Sequence, residues 1–366
     1  SVDPDVGTQE QTDIEVRDGV ILAIGKGLVR RGAEMIEAEN MIAMPGFVDT
    51  HWHMWGSVGR NFVDDTHNYM TAKKAVATLY TPDDAYASLR LALAEAIDAG
   101  ITGVLNFAHN VRSPAHADAE LRAHEECGIR ALYSYGYPDE LGQEAVMDLK
   151  DLERVAGRMP SGVDAVVRLG AAIRGSRHTT EAVYDEEMRT VLRLKLPASY
   201  HGGQGRRGTV SAVDMRQRGY LDAGTVLAHY LYASPADRIA MRETGASLSF
   251  SSHGEFRSAG DAGGDPRAQL LEMAADGVNV SLSVDANSIA PVDMFQVMRT
   301  TWYQGVRWQG DPRTEKLPSL TLPQVLAMAT LNGAKAIGAG AVSGTITVGK
   351  RADIVLMRTT DLNVAP

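Results

Sequence analysis

The chain has 366 residues, 44% of them apolar, and a formal charge of −10. That length accommodates a barrel of ~250 residues plus a smaller appendage, and the acidic balance argues against nucleic acid, since phosphate binding needs a basic surface. No apolar run approaches the ~20 residues that span a bilayer, no signal-peptide pattern is present, and the one cysteine, Cys127, has no internal disulfide partner, so a reducing cytoplasm and no membrane partner are expected.

In chain order, residues 12–45 read as short strands. Asp13–Arg17 alternates, Asp18-Gly19 is a hairpin turn signal, and Val20–Ile24 follows. Met44-Pro45-Gly46-Phe47-Val48-Asp49-Thr50-His51-Trp52-His53 then reads as a buried strand with two histidines at its end. Residues two apart in a strand share a face, so His51 and His53 can hold one metal ion between them. The centre continues as candidate strands at 101–108, 129–135, 164–173, 197–202, 225–230, 246–251 and 279–285, separated by helix-like segments. Thr81-Pro82-Asp83-Asp84, Ser113-Pro114 and Ser234-Pro235-Ala236-Asp237 are helix starts, with a capping hydroxyl, a proline in the first turn and, in the first and third, acids that favour the dipole. Strands spaced by helices imply a parallel sheet, and eight of them a closed (β/α)8 TIM barrel. An open doubly wound sheet is the alternative, but no Gly-X-Gly-X-X-Gly follows a strand. Ser343–Gly349 and Ala352–Met357 read as β-structure again. The expected organisation is α/β, with a β-sandwich built from 1–45 and 338–366 around a barrel of 46–337.

Functional residues of such a barrel lie at the C-terminal ends of its strands. His51 and His53 end the first, His201 the fifth, His229 the sixth and Asp285 the eighth. A lone histidine there is usually structural, and a lone aspartate a turn cap. Their recurrence in one alternating pattern is what points to a site. Three imidazoles and a carboxylate make a sensible mononuclear centre with an open position for water.

At these residues the chain resembles the amidohydrolase superfamily, in the branch of cytosine, guanine and S-adenosylhomocysteine deaminases and triazine hydrolases. The resemblance rests on Pro-Gly-Phe-Val-Asp-Thr-His-Trp-His at 45–53, Ala-Ser-Tyr-His at 198–201, Val-Leu-Ala-His at 226–229, Ser-Leu-Ser-Val-Asp at 281–285, and Gly344-Thr345-Ile346 with Gly349–Ile354. It implies one divalent ion, zinc or else iron, held by His51, His53, His201 and Asp285, with His229 polarising the substrate or orienting water. A metal of this kind lowers the pKa of a water toward ~7. Asp285 can take the proton and pass it on, and His229 can donate to the atom that gains charge. Binuclear members add a lysine on strand four, whereas Val166–Ile173 contains none. The ring deaminases resembled here carry a glutamate three residues after the strand-five histidine. This chain has Gln204, which can orient a substrate but has no acidic proton to deliver.

Further candidates lie around these ends. Glu255 could supply the missing acid, although a solvated loop acid is the commoner reading of such a residue. His109 and Asn110, after strand two, and His253, after strand seven, could touch substrate. His67, with Trp55, Phe62 and Tyr69, occupies the long loop after strand one, a place for a lid or pocket wall. Arg206 and Arg207 could meet a substrate anion. His116, His124 and His178 read as surface residues, and Met294, Phe295 and Met298 as core or dimer contact. The expected protein is a mononuclear hydrolase of a non-peptide C–N bond in a small polar, cyclic or heterocyclic substrate, and a homo-oligomer. Amide, amidine or carbamate hydrolysis is favoured over deamination or dechlorination of a heterocycle because of Gln204. A non-catalytic barrel scaffold is the reading from another class, and the retained ligand set counts against it.

Overall fold

The structure, a computed structural model, describes residues 1–28, 32–63, 66, 68–203, 209–262, 265–307 and 309–361, and of 258–262 only the backbone. Gln204, Arg206, Arg207 and His67 lie outside the described residues. The first hairpin joins β1 (Asp13–Arg17) to β2 (Val20–Gly25). Its turn residues Asp18 and Gly19 have φ of 52° and 72°, the left-handed pair that matches strand twist. β3 (Met41–Pro45) leads into the barrel and pairs antiparallel with β12 (Ile354–Arg358), close to the end of the described chain. Ser343–Gly349, expected as extended, forms turns instead. Gly344 and Gly349 sit at φ of 85° and 89°, and the segment docks on β2 through Gly349 N–H to Ile21 O and Ile21 N–H to Lys350 O.

Between these small sheets stand eight parallel strands in chain order: β4 (Phe47–Trp52), β5 (Ile101–Ala108), β6 (Arg130–Tyr135), β7 (Val167–Ile173), β8 (Ala198–His201), β9 (Val226–Ala228), β10 (Ser247–Phe250) and β11 (Asn279–Leu282). Helices alternate with them, so the fold is a (β/α)8 barrel. Thr81 with Asp84 and Ser234 with Asp237 form reciprocal capping boxes at two of the helix starts read from sequence. The strands stop earlier than their apolar runs. β9 ends at Ala228 because His229 and Tyr230 have φ of 69° and 48°, and the run after β11 turns at Asp285, φ 72°. No strand continues through left-handed backbone.

The barrel closes where β11 meets β4. His53 N–H donates to Asp285 O at 2.7 Å and Asp285 N–H to His51 O at 3.0 Å. Below that seam the interior is filled in two ways. Val48, Leu105, Phe107, Leu132, Ala172 and Val226 pack against Ala334, Ala336 and Ile337 at the base. Above them lies a buried hydroxyl network. Thr50 Oγ1 bonds Ser249 at 2.7 Å and Ser281 at 2.9 Å, and Ser283 bonds both Ser249 and Ser251. The larger apolar layer lies between the strands and their helices.

Two histidines read as surface residues are buried. Helix Pro114–Cys127 turns Ala117, Glu120, Leu121 and His124 toward the barrel, and His124 faces Asn106 at 3.2 Å. His116 bonds Ser113 Oγ and Tyr80 O. Polar residues on the buried stripe hide its apolar period. His178 is exposed, as read. Met294 is core, Met298 packs against it, and Phe295 is half exposed, edge-on to Phe47. Among the described residues no helix is long and apolar enough to cross a membrane.

Candidate metal centre

The C-terminal rim of the barrel brings His51, His53, His201, His229 and Asp285 together. Pairing of β4 with β5 slips between Asp49 and Trp52, so Thr50 reaches the inner hydroxyl network while His51 also faces inward. His53 and His201 present Nε2 atoms 3.2 Å apart. Asp285 Oδ1 is 3.5 Å from His51 Nε2 and 3.3 Å from His53 Nε2, and its Oδ2 is 3.9 Å from His229 Nε2. The ligand atoms of His51, His53 and Asp285 lie within 4.8 Å of one another, and so do those of His51, His201 and His229. All five side chains are at most a few per cent exposed apart from His201, which is half-buried.

The protein alone does not satisfy this cluster. His51 Nε2 is buried with no hydrogen-bond partner, and the facing nitrogens of His53 and His201 cannot both be acceptors for each other. Burial drives the pKa of His51 down and those of His53 and His201 well down, with neighbouring histidines adding to the effect. Burial pushes Asp285 upward, but His229 and His51 outweigh it and hold the carboxyl below its usual range. Neutral imidazoles around a carboxylate, with an orphaned nitrogen, fit a divalent cation.

The supporting shell is equally specific. Asp49, fully buried, accepts N–H bonds from His51 at 3.0 Å and Val284 at 2.9 Å, and so ties the two sides of the seam. Burial lifts its pKa to about 8. His229 Nδ1 faces Glu255 Oε1 at 3.4 Å, an ion-pair contact too long for a good hydrogen bond. Burial works against a charged His229, but Asp285 and Glu255 outweigh it and raise its pKa. Glu255 is not the solvated acid its sequence position implied. It lies in helix Ser252–Ala262, fully buried, and accepts Ser251 N–H at 2.9 Å. The turn into that helix brings it under His229, a tertiary contact without local signal. Gly254 lies beside it, and a Cβ there would sit 2.8 Å from Asp285 Oδ2.

Other sequence candidates fall outside the ligand cluster. His253 is half-buried against the helix Met294–Gln304, with Thr300 Oγ1 3.4 Å from its Nε2. Asn110 donates to Ala77 O, at the end of helix Tyr69–Ala77, and accepts from Arg112. His109 adjoins the cluster, its ring centroid 4.2 Å from that of His53. It brings two residues that sequence reading passed over, Lys73 and Asp139. Lys73 stands in a Lys-Lys pair on a helix, which reads locally as a solvated face.

A barrel with a buried histidine–aspartate centre at its C-terminal rim is the architecture of a metal-dependent hydrolase. The Amidohydrolase family model matches residues 42–365, and the chain belongs to that family. It is a hydrolase of carbon–nitrogen bonds other than peptide bonds. Among its relatives, the 5′-deoxyadenosine deaminase of Methanosarcina acetivorans is 24% identical over 98% of this chain and 82% of its own length. The 5-methylthioadenosine/S-adenosylhomocysteine deaminase of Desulforudis audaxviator is 28% identical over 99% and 84%. The fold is shared with a zinc-bound adenosine deaminase from Xanthomonas campestris, TM-score 0.79 at 20% identity, covering 98% of this chain and 82% of that one. An atrazine chlorohydrolase of Arthrobacter aurescens, complexed with zinc and atraton, also has a TM-score of 0.79, at 19% identity over 98% and 84%.

Proposed function

We propose that the protein hydrolyses the C–N bond of a small polar, cyclic or heterocyclic substrate, using one zinc ion held by His51, His53, His201 and Asp285. The observation that carries this reading is the unpartnered, buried His51 Nε2 facing three further ligand atoms. Zinc in that place supplies a water poised to lose its proton near neutral pH. Asp285 keeps Oδ2 on the His229 side, where it can take a proton from the nucleophile and return it to the departing nitrogen. His229, whose pKa Asp285 and Glu255 raise against the opposing effect of burial, donates from Nε2 to the atom that gains negative charge. Glu255 Oε1, 3.4 Å from Nδ1, faces the ring as an ion-pair partner and orients it.

Two bonds are candidates. A cyclic amide or amidine needs only the single Asp285 shuttle. Deamination of an aminated ring also calls for protonation of a ring nitrogen, and Glu255, fixed under His229, is turned to another task. The relatives named as deaminases favour the deaminating reading nonetheless. Zinc-loaded protein assayed for ammonia release from 5′-deoxyadenosine, and for ring opening of hydantoin and related cyclic amides, separates them. A fully active preparation free of metal by elemental analysis would overturn the mechanism for either bond.

A further inference from the structure

Lys73, on helix Tyr69–Ala77, is buried beside the histidine cluster, where an ammonium without partners is costly. It pairs with Asp139 Oδ2 and lies 3.3 Å from His109 Nε2 and 5.3 Å from the centroid of Tyr69. The protons of His109 decide how many donors remain. Trp55 Nε1 can only donate, and it reaches His109 Nδ1 at 3.3 Å. Phe107 O lies at the same 3.3 Å from Nδ1, and Asp139 Oδ1 3.4 Å from Nε2, so either ring nitrogen has an acceptor for its hydrogen. With the hydrogen on Nδ1, Nε2 accepts from Lys73, and with the hydrogen on Nε2 it does not. In either case the ammonium, paired with Asp139, keeps at least one N–H with no hydrogen-bond acceptor among the described residues.

The ammonium is also fixed in place. Asp139 is held from one side by His109 and from the other by Lys73. Its loop is stapled by buried Arg174, which donates to Leu141 O, Gly142 O and Ala145 O and pairs with Glu187. His109 in turn packs on His53. A rigid cation with a spare donor beside a reaction centre is how a site selects an anionic group.

We propose that Lys73 receives a carboxylate of the substrate, so that the substrate class is a carboxylate-bearing cyclic amide, amidine or amino-heterocycle. This rests on the metal-dependent reading of the site. A loop clamp alone would hold helix Tyr69–Ala77 down without discriminating between ligands.

Hydroxamates test this without knowledge of the ring, because they chelate the metal directly. Cobalt(II)-substituted protein is titrated with butyrohydroxamate and with the monohydroxamates of succinic and glutaric acid, binding being read from the visible cobalt spectrum. At least one of the two acids is expected to bind about tenfold or more tightly than butyrohydroxamate. Lys73→Met should erase that preference and leave butyrohydroxamate binding unchanged. Lys73→Arg should restore part of it, and Lys73→Gln serves if the Met variant fails to fold. Equal binding of all three ligands to the native protein overturns the assignment of Lys73 while leaving the metal centre standing. Failure of every hydroxamate to bind overturns the metal reading and this inference with it.

Discussion

Asp285 and His229 share a backbone property as well as a site: both are held at left-handed φ, a conformation that costs a non-glycine residue of order 1 kcal/mol or more. The hydrogen bonds of the seam and of β10 over-determine them, since Asp285 N–H reaches His51 O and His229 N–H reaches Ser249 O. Substitution at these side chains should therefore cost chemistry more than folding. Asp285→Asn should lower turnover by at least the ~10²–10⁴-fold typical of a lost general base, with the circular dichroism spectrum unchanged. Near-normal turnover by that variant would place the proton shuttle elsewhere. Glu255→Gln keeps the shape under His229 but removes a carboxylate that raises the pKa of the ring. A drop of roughly 10–100-fold with unaltered metal content is expected, together with a downward shift of the alkaline limb of the rate profile. Gly254→Ala places a methyl 2.8 Å from Asp285 Oδ2, inside contact distance. It should impair turnover while leaving a cooperative thermal transition.

At the scale of elements, each of the eight barrel strands falls within a stretch legible from apolar runs, because strands covered on both faces need no polar alternation. Helix starts with a hydroxyl, proline and acid were legible for the same local reason. What was not legible depends on partners far along the chain. Glu255 meets His229, Lys73 meets Asp139, and helix Pro114–Cys127 sets Glu120 and His124 against β5 and β6. That last cluster gives a pH signature. Burial lifts Glu120 to about 8, with Asn106 and Tyr133 as its hydrogen-bond partners. A carboxyl with a raised folded pKa stabilises fully below its unfolded pKa, and the contribution is lost as pH rises from 4.5 through about 8. Burial lowers His124 from 6.5 to about 4, so its contribution is present above 6.5 and lost as pH falls toward about 4. Glu120→Gln should therefore be more stable than the native protein at pH ~8, by on the order of 1–3 kcal/mol, and no more stable at pH ~5. Urea melts at the two pH values read this directly. Gly333, in helix Leu331–Ala336 at the base, admits no side chain, because a Cβ would stand 2.8 Å from Val48 Cβ and 3.0 Å from Val48 O. Gly333→Ala should destabilise by roughly 1–3 kcal/mol through overpacking.

For the whole molecule, the proposed ligands come from three strand ends that enclose the barrel axis, so a bound ion ties together parts no local interaction joins. Stripping the metal with 1,10-phenanthroline should lower the midpoint of thermal unfolding. At a free metal concentration of 100 Kd the linkage is worth about 2.7 kcal/mol, a shift of several degrees at this size. An identical midpoint before and after chelation would mean that the native state holds no ion. The seam between β4 and β11 also carries a consequence for biosynthesis. His51 and His53 belong to the first barrel strand, and their closing partner Asp285 follows the last. During synthesis the two early histidines emerge long before the residue that completes the centre. A nascent chain that has not reached position 285 has no seam to close and no fourth ligand to offer. The proposed four-ligand set is therefore complete only once the barrel has joined its ends.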